Sequence, residues 1–309
     1  MTGTDITFES AGCPLAGTYL EAAGPVAAAV LISGSGKTDR NSDVALPLGQ
    51  QLRSGITRSI AEALARARVP SLRYDKRGVG ASGGDFYAAG MDQRLADAAA
   101  ALDWLAARQP GVPLLAIGHS EGSYHAARLA SGDRGVAGAV LLAGSARPGG
   151  AVLAWQTEQL ATRLPRSAKA ILWLLRTDPV KAQRKNQDKI MASSDDMIRV
   201  QGTKVAARWF RDFVRYDPAP ALSRISAPVL AITGGHDLQV PPADIEAMGN
   251  LVPGPFEGHV AGDLSHMFRP DPACTGPRGY RRASREPMSA AVLSLITGWV
   301  TRNWAEVAR

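Results

Sequence analysis

Apolar and polar positions along the chain fall into two alternating rhythms. Residues 5–20 are polar, short-period and glycine-punctuated, as antiparallel edge strands are. Residues 26–33 form an almost unbroken apolar run ending in Gly34-Ser35-Gly36, which predicts a strand buried on both faces and followed by a loop. Helical spacing follows over 59–68, where Ile60, Leu64 and Ala67 share one side, and 69–74 reads as a second strand ending at Asp75-Lys76-Arg77-Gly78. The order then repeats, with a helix over 93–107, a strand over 113–117, a helix over 123–130 and a strand over 136–143. Such alternation predicts a mostly parallel sheet with helices on both faces.

The alternation stops at Gly149. Residues 149–222 contain no convincing strand, only apolar and basic helical stretches over 155–164, 168–175 and 205–213. Strand patterning resumes at 228–233 and 256–261, and a last helix is expected over 288–300. The pattern therefore predicts one α/β core, residues 1–148 and 223–309, interrupted by a helical cap over 149–222. No internal repeat or low-complexity tract is present.

Candidate chemistry sits at the strand ends. Gly118-His119-Ser120-Glu121-Gly122 fits G-x-S-x-G between a predicted strand and a predicted helix, the setting in which a serine hydroxyl stands exposed on a strained turn. A hydroxyl needs a histidine to take its proton and a carboxylate to orient that histidine. Of the five histidines, His119 and His125 flank the serine too closely to supply a separate base loop, and they read as packing or surface residues. His236 directly precedes Asp237, and His259 falls inside a predicted strand. His266 lies in a loop after the final strand and is the expected base. Asp237 follows the strand at 228–233 through Gly234-Gly235-His236, where carboxylates of open α/β sheets face the ligand, and is the expected acid. Asp217, in a Tyr-Asp-Pro turn, and Asp263, three residues from the histidine, are its rivals. Two N–H donors for an oxyanion are expected from the backbone of Glu121 and of Ser35, with Gly36 as the fallback.

These motifs resemble those of α/β-hydrolases of the esterase and serine aminopeptidase-like type. The likeness runs through Leu31-Ile32-Ser33-Gly34-Ser35-Gly36 with Asp39-Arg40, then Arg73-Tyr74-Asp75-Lys76-Arg77-Gly78-Val79-Gly80-Ala81-Ser82, and on through residues 118–122, 228–242 and 265–268. It departs at Ser33, where many relatives carry histidine, and at Lys37, where proline is frequent. The resemblance implies an α/β-hydrolase fold and cleavage of a small-molecule carboxylic ester or thioester through Ser120, His266 and Asp237, with no cofactor. Peptidase or amidase action and acyl transfer would use the same three residues, and a non-enzymatic binding protein would give no reason to keep all three. It also implies that the helical cap shapes the acyl pocket, with Trp155, Trp173, Trp209 and Phe210 as candidate walls.

Composition narrows the field further. The apolar share of 45% and charged share of 20% are those of an ordinary globular protein. The formal charge of +7 raises nucleic acid, but the basic residues are dispersed, and 13 Lys/Arg against 7 Asp/Glu between 149 and 222 place most of the excess in the cap. A solvated helical surface is the expected reading, with a field that draws anionic substrates as the alternative. Met1 to Gly17 has no basic cluster followed by an apolar core, and no stretch could span a bilayer, so a cytoplasmic protein is expected. Cys13 and Cys274 have no metal-ligand or disulfide spacing. Gly34-Ser35-Gly36-Lys37-Thr38 mimics the end of a phosphate-binding loop, but Leu31 stands where its first glycine is needed. Gly78-Val79-Gly80-Ala81-Ser82-Gly83 matches a dinucleotide fingerprint in a place where no helix begins.

Overall fold

The protein is described by a computed structural model covering residues 3–45, 51–163, 178–276 and 279–305. The chain opens with an antiparallel hairpin, β1 (Thr4–Ser10) and β2 (Cys13–Leu20), followed by β3 (Ala28–Ile32) and two short paired strands, β4 (Val44–Ala45) and β5 (Gln51–Leu52). Then come α1 (Ile56–Arg66), β6 (Ser71–Tyr74), α2 (Met91–Arg108), β7 (Leu114–His119), α3 (Glu121–Ala130) and β8 (Val136–Leu142). β1, β2, β6, β3, β7 and β8 lie side by side in that order, and the sheet is completed by β11 and β12, whose bounds follow below. β2 meets β6 antiparallel, while every pairing from β6 onward is parallel.

Period-two geometry explains the burial. In β3 Ala28, Val30 and Ile32 face one core and Ala29 and Leu31 the other; in β7 Ala116 faces the first, Leu115 and Ile117 the second. The first core is closed by Leu102 and Leu105 of α2 and by Ala126, Ala127 and Leu129 of α3. α1 covers the second through Ile60 and Leu64, beside the last helix of the chain. The chain runs from β3 outward to β6 and then crosses back past β3 to β7, so strand order reverses between β3 and β7. Ligands of open α/β sheets bind at such a reversal, beyond the carboxyl ends of the strands.

After β8 the chain forms α4 (Gly149–Thr162), α5 (Pro179–Ala192), the hairpin β9 (Met197–Val200) and β10 (Thr203–Ala206), and α6 (Ala207–Arg215). The hairpin departs from the all-helical expectation. Its arms are four residues long and half-exposed, too short to show alternation, and only the two-residue turn Gln201-Gly202, both with positive φ, signals it. α4 starts at Gly149, six residues before the expected stretch, and α6 leaves no room there for a side chain: a Cβ would sit 1.9 Å from the Phe213 carbonyl oxygen. The helix expected over 168–175 lies outside the described residues. The core then resumes with α7 (Ala219–Leu222), β11 (Val229–Gly234), α8 (Asp244–Leu251), β12 (Phe256–Ala261), α9 (Tyr280–Ala283) and α10 (Ala290–Trp304). Trp299 and Trp304 of α10 fold over Gly138 of β8. Among the described residues no helix is long and apolar enough to cross a membrane.

Leu115 is fully buried in the central strand. Leu115→Ala should lower stability by about 2–5 kcal/mol, read as an earlier urea unfolding midpoint at unchanged slope.

Candidate active site

The turn from β7 into α3 is set by close approach. A Cβ on Gly118 would sit 2.0 Å from the Gly122 carbonyl oxygen, and one on Gly122 would sit 2.2 Å from that of Ile32. Neither contact is sterically possible, so both positions must be glycine. Between them Ser120 holds φ 54° and ψ −119°, a conformation that costs a non-glycine residue on the order of 1–3 kcal/mol. Its amide donates to the Leu142 carbonyl at 2.8 Å, and its carbonyl accepts from the Ser123 amide at 2.9 Å and from Ser123 Oγ at 2.6 Å. The sheet and the helix together hold the strained residue.

Asp237 follows β11 and is buried. Its Oδ1 accepts the amides of Gln239 (2.7 Å) and Val240 (3.1 Å), and its Oδ2 lies 2.7 Å from His266 Nδ1. The carboxylate thereby selects the tautomer with the proton on Nδ1 and leaves Nε2 as an acceptor. His266 and Ser120 line one cavity of ≈ 110 Å³ at the β3–β7 reversal; no hydrogen bond joins the Ser120 hydroxyl to the imidazole. The ring of His119 stands 4.9 Å from that of His266 between centroids, and His119 Nε2–H donates to the His266 carbonyl at 2.9 Å. Burial, reinforced by His266 and Arg269, pushes the His119 pKa down to about 3, against the opposing effect of the carbonyl bond. It stays neutral.

The rival residues are occupied elsewhere. His236 Nδ1 donates to the Asp271 carbonyl at 2.8 Å, His259 pairs with Glu257 at 2.8 Å on the sheet-edge strand β12, and His125 packs in α3 against Glu121. Asp217 accepts the Ala219 amide, and the Asp263 side chain is 72% exposed.

Neither the Ser35 amide nor the Glu121 amide is taken by a protein acceptor, and Ser35 lines the cavity. The side chain of Glu121 turns away from the cavity into a charge cluster. Arg94 Nη1 reaches both of its oxygens at 3.1 Å, Lys76 Nζ lies at 3.3 Å and His125 Nε2 at 3.2 Å. Burial alone would raise the Glu121 pKa, but Arg94, Lys76 and His125 outweigh it and hold the carboxyl well below the usual carboxylate range. Burial also lowers Lys76 to about 8, with Glu121 opposing. Composition and spacing carry no signal for this cluster, because its members come from three segments distant in the chain.

The described walls of the cavity come from an unexpected stretch. Thr38, Ser42, Val44, Leu52, Ser54 and Ile56 line it together with Gln239, Met267 and Tyr280. Of the four aromatic residues expected there, Trp209 stacks on Phe213 at 5.2 Å and packs with Leu153, and Phe210 is buried with Ile190 and Ala207. Trp155 is half-buried on α4. None of these three is among the described lining residues: the apolar side of α6 packs Trp209 and Phe210 against Leu153 of α4 and Ile190 of α5, and Trp155 lies on α4 itself. Trp173 lies outside the described residues.

The sequence profile of the serine aminopeptidase, S33, family matches residues 44–269, most of the chain. The chain belongs to this family of α/β-hydrolases. Nothing among curated proteins matches it. Solved structures share the fold: Est1E from Butyrivibrio proteoclasticus with ferulic acid bound is 16% identical at a TM-score of 0.62, covering 98% of this chain and 100% of that one. The Pyrococcus furiosus esterase Pf2001 is 16% identical at 0.63, covering 98% and 91%, and the α/β-hydrolase GrgF from Penicillium sp. sh18 is 16% identical at 0.64, covering 99% and 100%.

In this S33-family hydrolase the other motifs prove to be clamps. Asp75 accepts the Arg40 amide (2.7 Å), its guanidinium (2.7 and 3.1 Å) and the Ala81 amide (3.0 Å), tying the loop after β3 to the loop after β6. A Cβ on Gly80 would strike the Asp75 carboxylate at 2.4 Å, which accounts for a glycine of the dinucleotide-like run.

Because His119 has a native pKa below its unfolded value of 6.5, the unfolded chain binds the extra proton as pH falls. The stability this contributes is complete above pH 6.5 and lost progressively toward pH 3. The melting temperature should therefore fall on acidification below pH 6.5. In His119→Gln, which keeps an N–H donor, the fall between pH 6.5 and 4.5 should be shallower when followed by circular dichroism.

Proposed function

We propose that the protein hydrolyses carboxylic esters or thioesters, with Ser120 as nucleophile, His266 as general base and then acid, Asp237 as the residue that orients it, and the Ser35 and Glu121 amides as oxyanion donors. The observation that carries this reading is the 2.7 Å bond from His266 to the buried Asp237, in a cavity wall shared with a serine held at positive φ. Ser120 Oγ attacks the acyl carbonyl carbon and passes its proton to His266 Nε2. Collapse of the tetrahedral intermediate expels the alcohol or thiol, which takes that proton. Water then repeats both steps on the acyl-serine and releases the acid. The serine–imidazole bond forms as substrate docks; such bonds are commonly long or misaligned in empty sites.

Ester or thioester selectivity rests on the described cavity walls. Val44, Leu52, Ile56 and Met267 are apolar, and Ser42, Ser54, Gln239 and Tyr280 are neutral, a lining that suits an uncharged acyl group. Residues 149–222 are read as a cap over the core. Gln156 of α4 donates to the Gln239 carbonyl at 2.8 Å, linking this segment to the cavity wall.

Ser120→Ala should lower turnover by about a millionfold with the fold intact, and a fluorophosphonate probe should label the wild type at Ser120 and leave the variant untouched. Near-normal hydrolysis by the variant would overturn the assignment. Across p-nitrophenyl esters of rising chain length, acyl-CoA thioesters and aminoacyl amides, turnover is expected with the first two classes; activity on amides alone would count against the ester reading. Leu52→Trp should shift the ester profile toward shorter acyl chains. An unchanged profile would place the acyl group elsewhere.

A further inference from the structure

Lys76 is a buried cation whose closest partner is not a carboxylate. Its Nζ lies 2.5 Å from the Gly34 carbonyl oxygen and 3.3 Å from Glu121 Oε2. Glu121 already has Arg94 on both oxygens and His125 on one, so neutralising that carboxylate leaves the shorter contact of Lys76 unexplained. A second donor reaches the same carbonyl: Thr38 Oγ1 at 3.1 Å, itself within 2.9 Å of Ser33 Oγ. Gly34 packs directly beneath the nucleophile, with a Cβ there only 3.2 Å from Ser120 Cβ.

The carbonyl of Gly34 and the N–H of Ser35 belong to one peptide unit. In a planar trans peptide these two groups point in opposite directions. Drawing the oxygen inward, to Lys76 and Thr38, therefore turns the Ser35 N–H outward, to the cavity side that Ser35 lines. Resting on the function proposed above, we propose that Lys76, aided by Thr38, is a positioning residue that aims the Ser35 oxyanion donor by gripping the Gly34 carbonyl. The same ammonium contacts the carboxylate of Glu121, whose own amide is the second donor. One buried side chain thus spans the two backbone segments that must converge on the oxyanion. Lys76 makes no contact with substrate; it acts through the peptide it holds.

The test uses the full chain, p-nitrophenyl butyrate as substrate and an alkyl trifluoromethyl ketone as mimic of the tetrahedral intermediate. Donors aimed at the oxyanion act on the transition state, and losing one outright costs 10²–10³-fold in kcat. Lys76→Met should therefore lower kcat roughly ten- to hundredfold, since it misaims one donor without deleting it. KM should change little, and affinity for the trifluoromethyl ketone should fall in step with kcat/KM. A merely structural lysine would lower the folded fraction and leave kcat per labelled active site and inhibitor affinity unchanged; that result overturns the proposal. If Lys76→Met does not fold, Thr38→Val decides, because it removes the other donor and no charge: a lowered kcat with weakened inhibitor binding supports the clamp, and wild-type values overturn it. Fluorophosphonate labelling of wild-type Ser120 separates the two levels. A labelled wild type with unaffected variants sinks the clamp alone, whereas an unlabelled, inactive wild type sinks the hydrolase reading and the clamp with it.

Discussion

The site depends on one close approach, the packing of the β7–α3 turn against the end of β3. Gly122 lies so near the Ile32 carbonyl, and Gly118 so near that of Gly122, that a single added carbon at either would force the turn out of its seat. The reward for that fit is position. Ser120 is lifted above the sheet at positive φ, and the first turn of α3 starts at once, so that the Glu121 amide is an unpaired helix N-terminal donor beside the Ser120 side chain. The strain is sustained because β7 is flanked by β3 and β8 and cannot relax without breaking ladders on both sides.

Around this turn the molecule spends buried charge instead of hydrophobic packing. Glu121, Arg94, Lys76 and His125 form a cluster under the cavity, and Arg40 and Asp75 form a second clamp nearby. Burying such ions is unfavourable unless each is paired and hydrogen-bonded, and removing one partner costs more than the pair itself contributes. The Arg94 guanidinium, whose Nη2 has no hydrogen-bond partner, is covered instead by the rings of Phe86 at 4.7 Å and Trp209 at 5.3 Å. Trp209 thereby joins segment 149–222 to the polar cluster of the core.

The cavity itself is built from what lies between regular elements. Its walls come from the residues after β3, from the short β4–β5 pair and from the loops around Gln239, Met267 and Tyr280. A rigid sheet fixes where Ser120, Asp237 and His266 sit at its strand ends, and the loops beyond supply the lining, a division common to α/β enzymes. Est1E, with ferulic acid bound, and the Pyrococcus esterase share this fold at 16% identity.

The α/β core was legible in the linear pattern because its central parallel strands β3, β7, β8 and β11 are apolar runs, and that property is local. So too was the G-x-S-x-G turn, since two glycines at fixed spacing flag a turn too tight for side chains, although the contact that demands Gly122 is with the distant Ile32 carbonyl. His266 and Asp237 were legible from their places beyond the ends of predicted strands, and the structure brings them within 2.7 Å. What tertiary structure alone decided is anything whose partners are far apart in sequence. The β9–β10 hairpin hid in arms too short to show a period. Trp209 and Phe210 were expected at the cavity, yet Phe210 packs against Ile190 of α5, and Trp209 against Leu153 of α4 and Arg94 of α2. Lys76 reads as one letter of a loop motif until folding brings it to its closest partner, Gly34, 42 residues away in sequence. Periodicity encodes which face is buried; it holds no information about which buried faces meet.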